Sequence, residues 1–162
     1  MTKYSFDPII SNEPTVLILG SLPGDLSIEK QQYYAHPRNR FWKMLFEIFE
    51  EDWSEEYHDR VNVIQKHHLV LWDVANSAQR KGSLDVDIWD EIPNAIEELL
   101  IQYPTIYRII FNGKKAEKLF DKHFERKNHL HYFSLPSTSP ANARYSNEKL
   151  MLHWKNALHQ EL

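Results

Sequence analysis

The chain has 162 residues, 42% of them apolar, enough to bury the core of a single domain spanning 1–162. A net charge of −4 and a pI near 6.1 argue against an overall basic, nucleic-acid-coating surface, yet a local basic rim suffices to hold a few phosphates. The absence of cysteine excludes disulfides, thiolate metal sites and a Cys nucleophile.

TVLILG (15–20) is an apolar run ending at glycine and reads as a buried strand, with SLPGD as the turn after it. A polar loop carrying QYYAHPRN follows, and then RFWKMLFEIFE (40–50), whose apolar spacing predicts a helix with a wide buried face. LVLW (69–72) is a second strand and NSAQRKGSLD (76–85) a loop. IPNAIEELLIQY (92–103) is a helix with Pro93 in its first turn. TIYRIIFNG (105–113) is a third strand stopped by Asn-Gly, and KKAEKLFDKHF (114–124) is the helix after it. HYFSLP (131–136) is a fourth strand, STSPANARYS (137–146) a loop and NEKLMLHWKNALHQ (147–160) the last helix. Strands alternating with helices predict a three-layer α/β/α sandwich around a central, mainly parallel four-stranded sheet. The polar loops all follow strands, so they converge on the carboxyl edge of the sheet, where such folds bind ligands.

Three of these loops carry the chemistry. GSLPG (20–24) can bring backbone N–H groups close to a ligand, but it is neither a P-loop nor a dinucleotide fingerprint. YYAHPRN (33–39) sets aromatics, which can stack a flat ring, beside His36, Arg38 and Asn39. Two roles are open to Asn39: capping the helix that starts near Arg40, and holding a water or reading a base edge. PSTSPANAR (136–144) offers hydroxyls and Arg144 on a proline-stiffened loop, a composition suited to phosphate contact. Lys30, Arg38, Arg40 and Lys43 form the local basic cluster. Nine histidines lack metal-ligand spacing, so no metal is expected, and no G-x-S-x-G nucleophile elbow is present.

With GSLPGDLS, YYAHPRNRFW and LPSTSPANAR in order on strand-end loops, the chain resembles the uracil-DNA glycosylase superfamily from about Thr15 to the final helix, and within it the hypoxanthine-DNA (deoxyinosine) glycosylase branch. The resemblance implies a monofunctional base-excision enzyme acting on DNA that carries deaminated bases, with no cofactor. Mismatch-type uracil enzymes place a water-activating Asn where this chain has Leu22. The branch resembled here is thought to use the Asn of the H-P-R-N segment, which maps onto Asn39. Tyr34 maps onto the stacking aromatic. Gly20, Ser21, Leu22, Pro23, Gly24, His36, Asp73 and Asn112 are then expected at the base. Arg38, Arg40, Pro136, Ser137, Thr138, Ser139, Asn142 and Arg144 are expected at the DNA backbone. Two alternatives stand beside this reading: a mismatch-type uracil-DNA glycosylase, and a glycosylase-like module that binds DNA or a nucleobase without chemistry. No apolar run reaches membrane-spanning length and MTKYSFDPII lacks a signal-peptide core, so a cytoplasmic monomer is expected.

Overall fold

The structure, a computed structural model, describes residues 1–162. In chain order its elements are β1 (Thr2–Tyr4), β2 (Ile9–Ile10), β3 (Val16–Gly20), α1 (Asp25–Lys30), α2 (Phe41–Ile48), α3 (Tyr57–Lys66), β4 (Leu69–Asp73), β5 (Ala75–Gln79), β6 (Trp89–Pro93), α4 (Ile96–Gln102), β7 (Arg108–Asn112), α5 (Lys114–His123), β8 (His131–Leu135) and α6 (Asn147–His159). The main sheet has the order β2-β4-β3-β7-β8. Its last four strands run parallel, as expected, and the two-residue β2 adds a fifth, antiparallel strand at one edge. β2 is too short to leave a period in the sequence.

Every residue of β3, β4 and β7 is buried, as strands covered on both faces require. Alternate side chains divide between two cores. Val16, Ile18, Leu69, Leu71 and Ile110 pack with α2, α3 and α6, while Leu17, Leu19, Val70, Ile109 and Phe111 pack with α4 and α5. No helix is long and apolar enough to cross a membrane.

The sequence reading is corrected between Ala75 and Pro93. Residues 75–79 are not loop. They form the centre of a second, antiparallel sheet of order β1-β5-β6. Its strands are polar, ANSAQ and WDEIP, and irregularities in the β5–β6 pairing break the two-residue period that would have shown them. Pro93 ends β6 and does not open a helix. α4 begins at Ile96, consistent with the confinement of proline to edge strands. α1 and α3 are further additions, the first only six residues long and the second weakly amphipathic.

The main sheet positions the site. From β3 the chain crosses first to β4 on one side and later to β7 on the other. The carboxyl end of β3 is therefore a topological switch point, the place where open α/β sheets leave a crevice.

Candidate active site

A cavity of about 260 Å³ opens at that switch point. Gly20 ends β3, Asp73 pairs with it at the end of β4, and Asn112 ends β7. All of the residues expected at the base line this cavity: Gly20, Ser21, Leu22, Pro23, Gly24, Tyr34, His36, Asp73 and Asn112. Asn39 lines it as well. The space suits one flat heterocycle and lies at the small end of ligand pockets. A wider cavity of about 700 Å³ adjoins it, sharing Ser83–Asp85, Ser137, Ser139 and Ala141, and reaching Lys114.

The two tyrosines of the YYAHPRN segment both border the cavity but are held differently. Tyr33 is an anchor: its hydroxyl donates to the Asp7 carbonyl at 2.9 Å, and its carbonyl accepts from Trp42 Nε1 at 2.7 Å. Tyr34 adopts a left-handed backbone with φ 53°, an uncommon state for a bulky residue, costing on the order of 1 kcal/mol. That turn delivers its ring to the cavity, stacked on Phe41 with centroids 4.3 Å apart and planes 29° apart. Its hydroxyl is buried without a hydrogen-bond partner. Burial, and then the neighbouring Asp73, hold the phenol well above its ordinary range.

Gly20 makes this geometry possible. A Cβ there would stand 2.5 Å from Asp73 Oδ1 and 2.9 Å from the Tyr34 hydroxyl. Gly24, by contrast, has an extended backbone, and an added Cβ would meet only Ser83 at an ordinary 3.6 Å, so it is not required by close approach.

Both roles read for Asn39 are geometrically compatible. Its Oδ1 accepts the Phe41 N–H at 2.9 Å, satisfying a donor in the first turn of α2, while the residue lines the cavity. A carboxamide oxygen has a second lone pair. His36 Nδ1 accepts the Arg38 N–H at 3.1 Å, so a neutral ring carries its proton on Nε2.

The last loop is tied down through Thr138. This residue is fully buried. Its Oγ accepts from Asn112 Nδ2 at 3.0 Å, its N–H donates to Asn112 Oδ1 at 3.0 Å, and its carbonyl accepts the Arg40 N–H at 3.1 Å. Four residues expected at the DNA backbone are engaged within the protein. Thr138 is inaccessible to phosphate. The Arg40 guanidinium donates to the Asn142 and Tyr145 carbonyls and to Asn147 Oδ1, which makes it a clamp on the loop. Asn142 donates its amide to the Ser137 carbonyl, and the Pro136 carbonyl accepts from Trp154. Arg38 and Arg144 are exposed, and Ser137 and Ser139 line both cavities.

Behind the cavity lie Lys3 and Arg80, bonded to its lining residues Asp25 and Pro23, and with Asp85 they were not singled out by the sequence. Lys3, buried on β1, donates to Asp25 Oδ1 and to the Gly82 carbonyl. Arg80, buried after β5, donates to the Pro23 and Gly82 carbonyls. Ser21 donates to Asp85 Oδ1 at 2.6 Å. Arg80 and Asp85 had one signal, their place on the loop after the second strand, and Lys3 had none, because a buried cation has no local pattern. Asp73 is 3% exposed and its Oδ2 has no partner. Burial first, and then the charge of Asp85, push its pKa up to about 7 against the opposing pull of Arg80.

Leu22 is 6% exposed and packs with Ala75, Ala78 and Ile88. An amide there would be buried in an apolar cluster. Leu22→Asn should lower stability by about 1–3 kcal/mol and confer no uracil release, readable by thermal melting and an oligonucleotide assay.

Comparison with known proteins bears on the family and the fold. Residues 8–161 match the model of the Uracil DNA glycosylase superfamily. A hypoxanthine DNA glycosylase from Methanosarcina barkeri (strain Fusaro / DSM 804) is 43% identical over 117 residues, 72% of this chain and 74% of the relative. A hypoxanthine DNA glycosylase from Methanosarcina acetivorans is 36% identical over 154 residues, 92% of this chain and 94% of the relative. The solution NMR structure of a Methanosarcina acetivorans protein, given a provisional uracil DNA glycosylase name, superimposes with a TM-score of 0.81 at 34% identity, covering 98% of this chain and 97% of that one. With the fold, the switch-point pocket and these relatives in agreement, the chain belongs to the uracil DNA glycosylase superfamily.

Proposed function

We propose that this chain excises hypoxanthine from DNA, hydrolysing the N-glycosidic bond of deoxyinosine as a monofunctional glycosylase. The observation that carries the reading is the pocket itself. It is sized for one base and walled by Tyr34 and Asn39, and it holds an apolar Leu22 where a uracil-type water-activating amide would stand.

The target nucleotide leaves the duplex and its base enters the cavity, at a cost of a few kcal/mol that a weak mismatch lowers. Tyr34, braced by Phe41, stacks on the base. Asn39 positions a water at C1′, its amide already oriented by the Phe41 N–H. The bond from C1′ to the base nitrogen breaks toward an oxocarbenium-like state, and the bonding pair departs with the purine. Water adds at C1′ and loses its proton to solvent. Pocket donors stabilise the departing anion. Arg38 and Arg144 meet phosphates at the rim, with Ser137 and Ser139 beside them. In this reading the enzyme acts as a monomer in the cytoplasm.

The test is base release from matched oligonucleotides carrying deoxyinosine, deoxyuridine or deoxyxanthosine. Hypoxanthine should lead, and borohydride should trap no enzyme–DNA adduct. Uracil leading would remove the substrate assignment, and a trapped adduct would remove the monofunctional one.

A further inference from the structure

A buried carboxyl without a partner is costly unless a ligand or a proton compensates it. Asp73 is such a group. It ends β4 on the floor of the pocket, and Gly20 lies against its Oδ1 with no side chain between. No protein group hydrogen-bonds Oδ2. Its neighbours come from several segments. Tyr33 and Tyr34 approach from the loop after α1, Asp85 from the 85–87 turn and Arg80 from the end of β5, and His36 lines the same cavity. Arg80 is the one cation among them that acts on Asp73, and its guanidinium is turned to the Pro23 and Gly82 carbonyls.

We propose that Asp73 acts as a neutral carboxylic acid that reads the lactam edge of the flipped base. Its O–H donates to the ring carbonyl and its C=O accepts the adjacent ring N–H. This rests on the hypoxanthine reading above and on the expected place of Asp73 at the base, and it adds the protonation state that lets Asp73 read that edge. A neutral acid presents one donor beside one acceptor, the complement of N1–H beside C6=O in hypoxanthine. An ionised carboxylate presents two acceptors and repels the carbonyl. A carboxyl kept protonated near neutrality so that it can donate has precedent in apolar enzyme sites. The pKa of about 7, raised chiefly by burial, places the neutral form in the acidic half of the physiological range.

The experiment is single-turnover hypoxanthine release between pH 5.5 and 9, with native protein, Asp73→Asn and Asp73→Ala. Native activity should fall about tenfold per pH unit above pH 7, as one ionisation dictates. Asp73→Asn keeps a donor and an acceptor without titrating. It should stay within about tenfold of the native acid-side rate and show no alkaline fall. Asp73→Ala should lose at least about 100-fold at every pH. Two readouts do not need the variants' activity. Native protein should fail to release the base from N1-methyldeoxyinosine, which lacks the N1–H. Stability supplies the other. The folded pKa lies above that of an unfolded aspartate, so the native state holds the extra proton between about pH 4 and 7 and loses stability as pH rises through that window. The Tm advantage of Asp73→Asn should therefore widen from pH 4 to 7 and then level.

Identical pH profiles for native and Asp73→Asn protein, or efficient release from the N1-methyl substrate, would overturn the proposal while leaving the hypoxanthine reading intact. No hypoxanthine release from native protein at any pH would remove both.

Discussion

Asn39→Ala should reduce single-turnover hypoxanthine release by at least about 100-fold, the lower end of what a positioned polar or acid–base group contributes. The same substitution removes the acceptor for the Phe41 N–H, so it should also cost about 1 kcal/mol of stability. For a chain of this size that is a fall in Tm of about 2–4 °C. The two losses are separable. Asn39→Asp retains an oxygen for the Phe41 N–H and should recover the melting temperature. Its activity then reports on the water alone, because a carboxylate can still orient a water molecule. A folded Asn39→Ala protein that released hypoxanthine at the native rate would remove Asn39 from the chemistry and leave it a helix cap.

The second large effect belongs to the smallest residue in the site. Gly20→Ala adds one methyl group at a place where its nearest neighbours would be Asp73 Oδ1 at 2.5 Å and the Tyr34 hydroxyl at 2.9 Å. Both are closer than a real Cβ tolerates, so both side chains must move. Overpacking of this kind costs about 1–3 kcal/mol in stability. The catalytic loss should be larger, about 100-fold in kcat/KM, because displacement by an ångström at a positioned ring and carboxyl spoils alignment. Gly24→Ala is the matched control, since an added Cβ there meets only Ser83 at 3.6 Å. It should melt like the native chain and lose far less activity than Gly20→Ala. Equal behaviour of the two variants would show that close approach at Gly20 is not what shapes the pocket.

The parallel core was legible because its strands are buried on both faces and read as unbroken apolar runs: VLILG, LVLWD and RIIFN. The convergence of the loops after them followed from their place at the carboxyl ends of parallel strands. The small sheet was not legible. Its strands carry Asn, Ser, Gln, Asp and Glu and are held by pairing with one another across long sequence separations, so neither period nor composition marks them. At the site, local motifs placed Tyr34, Asn39 and the Gly20 turn in one cavity. Sequence could not show how polar groups are shared. Arg40 and Arg38 are two positions apart and chemically alike, yet Arg40 is held by three acceptors on the last loop while Arg38 is exposed. Thr138 and Ser137 differ in the same way, one buried and fully bonded, the other on the cavity wall.

The Arg40 clamp also bears on how the protein comes to be folded. Its three bonds join residues 102, 105 and 107 positions apart, and Thr138 ties the Arg40 N–H at the α2 entrance to Asn112 of β7, itself 26 positions from Thr138. Contacts of such sequence distance carry a large loop-closure cost and form late. During synthesis, the YYAHPRN segment emerges with its strand-end turn but without the loop that braces it. The pocket can only be completed once the segment through Asn147 has docked. Local opening of that docked segment should then silence the site before the sheet unfolds, giving hydrogen exchange at Thr138 and Arg40 a lower opening energy than at β3.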